Sequence, residues 1–303
     1  MTAAPRRLVF CGTPPLAVRP LRALVEAGHE VRLVVTGPDR RRGRGSVPSP
    51  SPVKAEAQRL GIPVDHDVEA VVDSGAELGV VVAYGRLVPG RVLERLPMLN
   101  LHFSLLPRWR GAAPLERAIL AGDEVTGVCV MGLERELDTG PLYASEAVPI
   151  APGEHLGTLR ERLVTIGTSL LVELLAHPLP EPSPQRGEAT YAAKLAPEEL
   201  RLTWTRPADA LERVVRLDRA WTTWRGRRLH VLDAEALPSL PEGAGAVSIS
   251  EGAGAVPGTL YEETVVCGEG ALRLRAVRPE GRSEMAAEDW LRGARPVAGE
   301  RLV

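Results

Sequence analysis

The chain has 303 residues, a formal net charge of −2 and 44% hydrophobic residues, which suits a folded protein of about two domains and gives no overall charge for binding nucleic acid. Cys11, Cys129 and Cys267 are odd in number, far apart and in no CxxC pair, which argues against a disulfide framework or a zinc finger. No apolar run approaches the ~18–20 residues of a membrane span, and Leu8 to Cys11 is too short for a signal-peptide core, so a soluble cytoplasmic protein is expected.

Leu8-Val9-Phe10-Cys11, bounded by Gly12, reads as a buried strand. Residues 16–27 place Leu16, Val18, Leu21, Leu24 and Val25 at helical spacing, and Gly28 stops the helix. Val31 to Val35 gives the next strand. Strand, helix and strand at this pitch predict an α/β fold with a doubly wound, mostly parallel sheet. The first turn, Gly12-Thr13-Pro14, lacks the glycines of GxGxxG, so a nicotinamide or flavin site is not supported.

Thr36 to Pro52 is polar and reads as a long exposed loop carrying Arg40, Arg41, Arg42 and Arg44. A charge run is ordinarily a solvated surface, and that is the simpler reading here. The functional reading is a flexible basic arm for phosphate. All but two of the 37 basic residues are arginine, the better phosphate fork.

Leu78 to Ala83, ending at Tyr84-Gly85, is another buried strand. Leu99 to His102 follows as a short strand before the turn at Leu106-Pro107, and Val125 to Leu133 alternates as a further one. Leu156, Leu159, Leu163, Ile166, Leu170 and Leu174 mark a strong helix. The proline-rich stretch 178–189 reads as a linker. Arg228 to Asp233, Thr264 to Val266, and the alternation of Leu272, Leu274 and Ala276 with Arg273 and Arg275 then predict a small β-barrel. Glu-Gly-Ala-Gly-Ala-Val occurs at 242–247 and 251–256 and reads as an expanded loop.

Asn100 and His102 are two apart on one strand, so their side chains share a face, at the strand end where open α/β sheets gather their active sites. Asp138 comes from a separate turn, Leu137-Asp138-Thr139-Gly140. An amine attacking a carbonyl builds negative charge on oxygen, which an amide N–H and an imidazolium stabilise, while a carboxylate holds the imidazole and helps collect the proton. No metal is required. On the residues alone, a single histidine at a strand end is more often a satisfied structural residue.

Asn-Leu-His-Phe-Ser-Leu-Leu-Pro-Arg-Trp-Arg-Gly-Ala-Ala-Pro at 100–114 resembles the signature of the methionyl-tRNA formyltransferases. The wider 10-formyltetrahydrofolate-dependent formyltransferases share its Asn-x-His core and its Ser-Leu-Leu-Pro turn. Further resemblances follow in order along the chain: Phe10-Cys-Gly-Thr-Pro14, Val35-Thr-Gly-Pro-Asp39 with Gly43-Arg-Gly45, Pro50-Ser-Pro-Val-Lys54, Val82-Ala-Tyr-Gly85, Leu137-Asp-Thr-Gly140 and Ala189-Thr-Tyr-Ala-Ala-Lys-Leu195.

The resemblance implies a catalytic triad of Asn100, His102 and Asp138. It implies a folate-contacting turn at Ser104, Leu105, Leu106 and Pro107, and a pterin pocket along Tyr84, Gly85, Arg86, Leu87 and Val88. The basic loop with Arg40, Arg41, Arg42 and Arg44 becomes an arm against tRNA, and the second domain becomes an OB-like barrel that also contacts tRNA. Arg213, Arg216, Arg219, Arg225, Arg227 and Arg228 are its candidate phosphate contacts. The implied organisation is a catalytic domain over 1–177, a linker over 178–206 and the barrel over 207–303. The implied reaction transfers the formyl group of 10-formyltetrahydrofolate to the amine of charged methionyl initiator tRNA, by a monomer with no metal. Pro15, Leu16 and Glu136 depart from the family's usual residues, which leaves as alternatives a relative that formylates another amine, or a weakly active tRNA-binding one.

Overall fold

A computed structural model describes residues 5–41, 48–240, 256–297 and 299–303. The chain divides into two compact units: 1–115 with 124–150 and 159–194, and 116–123 with 151–158 and 195–303.

The first unit opens with β1 (Arg7–Gly12), buried from its second residue onward. Gly12 ends the strand at a tight approach, since a Cβ there would meet the Val82 carbonyl at 3.0 Å and Ala17 at 2.9 Å. A single 3-10 turn, Pro15–Ala17, leads into α1 (Val18–Glu26), which buries Pro20, Leu21 and Leu24. Gly28, at φ 89°, takes the left-handed conformation that stops the helix before β2 (Glu30–Val35).

The stretch read as one long loop is partly ordered. β3 (Arg40–Arg41) pairs antiparallel with β4 (Pro48–Ser49), making a short arm whose tip, 42–47, lies outside the described residues. Its base is tied down: Thr36 Oγ1 and Ser51 Oγ lie 2.7 Å apart in a buried hydrogen bond, and Lys54 pairs with Asp39 at 2.8 Å. Ser51 Oγ also accepts from the Lys54 N–H, capping α2 (Pro52–Arg59). There follow β5 (Val64–Asp65), β6 (Leu78–Val82), α3 (Gly90–Leu93) and β7 (Met98–His102). After them come β8 (Arg110–Gly111), α4 (Pro114–Ala121), β9 (Val125–Gly132), β10 (Leu142–Pro149), α5 (Leu156–Leu175) and β11 (Tyr191–Ala192).

The main sheet runs β10-β9-β7-β6-β1-β2-β5, with β5, β2, β1, β6 and β7 mutually parallel, β9 antiparallel to β7, and β10 antiparallel to β9. This is the mostly parallel α/β sheet the sequence predicts. Val81 sits beside Asn100 and Val82 beside Leu101, so the two faces of β7 are sorted. Leu101 faces α5, where Gly167 allows contact: a Cβ on that glycine would lie 3.0 Å from the Leu101 side chain. Asn100 and His102 therefore occupy the other face, shared with Cys11 and Val81. The stretch 178–189 packs within this unit, where Ser183 and Leu142 exchange backbone hydrogen bonds.

The second unit holds α6 (Ala208–Val215), β12 (Trp221–Trp224), β13 (Arg227–Leu237), β14 (Leu260–Tyr261), β15 (Thr264–Val266), β16 (Ala271–Pro279), β17 (Met285–Ala286) and α7 (Ala287–Ala294). Its antiparallel order is β12-β13-β16-β15-β14, with β17 also on β16. Thr223 and Val303 exchange backbone hydrogen bonds, while Leu302 donates to Gly258 and Leu260 to Glu300. Residues 300–303 thus bridge the two outer strands, and the sheet closes as the small barrel predicted. Leu211, Val231, Leu272 and Val277 fill its core, with Trp224 edge-on to Trp290 at 5.4 Å. The repeated Glu-Gly-Ala-Gly-Ala-Val stretches lie outside the described residues, except for Val256. No helix among the described residues is long and apolar enough to cross a membrane.

Candidate active site

Asn100 and His102 emerge at the carboxyl end of β7. The Asn100 side-chain amide is half-buried and makes no side-chain hydrogen bond among the described residues. His102 is buried, beside Cys129 of β9. Beyond it the chain folds back sharply. Buried Ser104 donates through Oγ to the Arg108 carbonyl at 2.7 Å, closing the turn. Within that turn Leu106 packs on Cys129 and Met131, Pro107 is buried after a cis peptide bond, and Leu105 lies over Gly127. A Cβ on Gly127 would collide with the Glu146 carbonyl of the neighbouring β10 as well as with Leu105, which is why β9 carries a glycine there.

Trp109 then adopts a left-handed conformation at φ 64°, turning its carbonyl toward His102. His102 Nε2 and that oxygen are 3.0 Å apart, and since a carbonyl can only accept, Nε2 carries the proton. His102 Nδ1 is left facing Asp138 Oδ2 at 3.7 Å. Asp138 is itself buried and left-handed, at φ 54°, and its Oδ2 accepts from the Gly111 N–H at 2.7 Å. Gly140 makes this turn possible, because a Cβ there would stand 1.8 Å from the Gly132 carbonyl.

The segment after β6 leaves the sheet next door. Ala83 and Gly85 both take positive φ, at 46° and 78°. The Tyr84 carbonyl accepts from Thr13 Oγ1 at 3.1 Å, and Thr13 in turn accepts from the Gly37 N–H. Burial pushes the Tyr84 phenol above its usual range, so it stays neutral. Gly85 and Arg86 are exposed, and Arg86 donates to the His66 carbonyl at 3.2 Å. Leu87 is 71% exposed, whereas Val88 packs on the apolar cluster below. A cavity of about 530 Å³ lies against the Asp138 turn, lined by Gly90, Leu93, Glu94, Leu133, Arg135 and Thr139 among others.

Asn100, His102, Asp138 and Ser104 to Pro107 are thus brought together, with Tyr84 to Val88 on the adjoining strand end. Arg40 and Arg41 are exposed on the short arm, and Arg42 and Arg44 lie outside the described residues. In the second unit several of the candidate arginines are engaged internally: Arg213 with Asp209, Arg216 with the Glu154 carbonyl and Arg225 with Glu300. Arg228 is exposed and stacks 4.2 Å from the Trp221 ring, Arg219 is also exposed, and Arg227, though exposed, donates to the Glu280 carbonyl at 3.3 Å. No group of three or more His, Cys, Asp or Glu suited to a metal occurs among the described residues.

The family model for formyl transferase matches residues 6–175, and that for the formyl transferase C-terminal domain matches 194–295. The methionyl-tRNA formyltransferase of Ruegeria pomeroyi is 43% identical over 315 residues, covering 98% of this chain and 100% of that protein. Among solved structures, the methionyl-tRNA formyltransferase from Clostridium thermocellum superposes with a TM-score of 0.57 at 16% identity, over 79% of this chain and 95% of that one. HypX from Aquifex aeolicus, solved with tetrahydrofolic acid, gives 0.58 at 18% identity, over 94% of this chain and 46% of its own. The structural likenesses speak for the fold, and the identity along the whole chain speaks for the lineage. The chain belongs to the methionyl-tRNA formyltransferase family and is a formyltransferase.

Proposed function

We propose that this enzyme transfers the formyl group of 10-formyltetrahydrofolate to the α-amine of methionyl-initiator tRNA in the cytoplasm. The observation that carries the mechanism is the convergence of His102 and Asp138, 3.7 Å apart and both buried, beside the open amide of Asn100. The pterin is assigned to the strand end at Tyr84 to Val88 beside Asn100 and His102, because the depression against the Asp138 turn is walled largely by Glu94, Glu134, Arg135 and Glu136, too polar for such a ring. The folate, when bound, supplies an activated formyl carbon. Asn100 hydrogen-bonds the formyl oxygen as negative charge gathers there, and His102, acting as an imidazolium with Nε2–H kept on the Trp109 carbonyl, contributes its positive charge and its Nδ1–H. Asp138 orients His102 and takes up the proton the attacking amine must lose; the bond from the formyl carbon to folate N10 then breaks, and that proton passes to N10 as tetrahydrofolate leaves. An aminoacyl ester lowers the pKa of its own amine, which keeps the acceptor neutral and reactive. The exposed arginines of the arm, and Arg219, Arg227 and Arg228 in the second unit, suit the tRNA backbone. No observation favours another amine.

The test is methionyl-tRNA formylation by wild-type enzyme, His102→Ala and Asp138→Asn. Each variant should lose roughly 10²–10⁴-fold in rate while still binding folate and tRNA. Wild-type rates in both would rule out these roles.

A further inference from the structure

Asp138 sits on a four-residue turn with its backbone in a strained region, 3.7 Å from a histidine it does not directly hydrogen-bond. Something must hold that spacing. One clamp is the Gly111 N–H on Asp138 Oδ2 at 2.7 Å, which fixes the carboxylate. The other holds the turn's backbone. Gln185 Nε2 donates to the Asp138 carbonyl at 2.8 Å and to the Gly140 carbonyl at 2.9 Å. Its Oε1 accepts from Arg110 Nε at 3.1 Å and Arg110 Nη2 at 2.6 Å. The amide fits in one orientation only, since both partners of the oxygen are donors and both partners of the nitrogen are acceptors. All four of its hydrogen-bonding positions are used.

Arg110 immediately precedes Gly111, so one half-buried glutamine ties the backbone of the Asp138 turn to the segment whose N–H holds the Asp138 carboxylate. The same stretch steadies the histidine: Thr190 Oγ1 accepts from the Trp109 N–H at 2.9 Å, and Trp109 offers the carbonyl that His102 uses.

From this geometry we infer that Gln185 is a positioning residue for formyl transfer, fixing Asp138 against His102 through the backbone of its turn. The inference rests on the proposed role of Asp138. A displacement of about 1 Å at a reacting group costs on the order of 100-fold in rate, which sets the scale.

The experiment compares Gln185→Ala, Asp138→Asn and the double variant in single-turnover methionyl-tRNA formylation, with KM for both substrates and thermal unfolding measured alongside. Gln185→Ala should lower kcat roughly 10–100-fold, with KM values and the melting temperature close to wild type. In the Asp138→Asn background the same change should cost nothing further, because a residue acting through Asp138 has no separate effect to lose. Gln185→Glu serves as the second variant: it keeps a partner for Arg110 but opposes a carboxylate to the two carbonyls, so it should lose kcat while holding the segment in place. Wild-type kcat in both Gln185 variants, or a loss that multiplies in the Asp138→Asn background, would overturn the inference alone. Full activity in Asp138→Asn would remove the role of Asp138, and the inference with it.

Discussion

His102 is turned by a backbone carbonyl and Asp138 by a backbone amide, so each reaches the site through main chain from residues 109–111. Side chains set this way depend on small residues nearby. Gly140 is the sharpest instance, since Gly140→Ala would drive a Cβ into the Gly132 carbonyl and move the Asp138 turn. We expect that variant to lose about 1–3 kcal/mol of stability and at least about 10-fold in kcat, checked by denaturant unfolding and formylation kinetics. At this scale the sequence was informative where chemistry follows local spacing. Asn100 and His102 share a face because strand periodicity is two, and Asp138 stood out in a turn ending in glycine. Glu136, which departs from the family's usual glycine, leaves Asp138 within 3.7 Å of His102. Gln185 and Thr190 were illegible in their roles because their partners lie 47 and 81 residues away.

Elements were legible in proportion to their apolar pattern. Buried β1, β6 and β9 and the long α5 follow the hydrophobic runs closely, but β10 is an edge strand whose middle residues are exposed, so it carries no such run. α2 was missed because its sequence is mostly polar, although Ser51 and Pro52 announce its start. Beside its buried Val53 and Ala57, an ion-pair cluster links α2 to α1. Glu56 accepts from Arg59 and from Arg22 of α1, and these hydrogen bonds bring its carboxyl from the ordinary 4.5 down to about 2. A carboxylate with a lowered pKa stabilises the fold fully above its unfolded value and ceases to do so as pH falls through the folded one. Glu56→Gln should therefore be less stable than wild type at pH 7, with the gap narrowing between pH 4.5 and 2, as read from urea unfolding at a series of pH values.

At the scale of the whole molecule, an α/β part followed by a small antiparallel part was readable from the change in periodicity along the chain, whereas the compact units group 178–194 with the first part and 116–123 and 151–158 with the second. The segment that closes the predicted barrel was not readable, since residues 300–303 have no strand-like run and pair by backbone alone. Nor was the fate of the arginines: sequence offers Arg213, Arg216 and Arg225 equally with Arg228, while the fold engages the first three internally and leaves Arg228 exposed over Trp221. The most direct measurement is formyl transfer from 10-formyltetrahydrofolate onto charged methionyl initiator tRNA, with charged elongator tRNA and free methionine beside it. The account predicts formyl on the initiator alone; formyl on a free amino compound and none on the tRNA would contradict it.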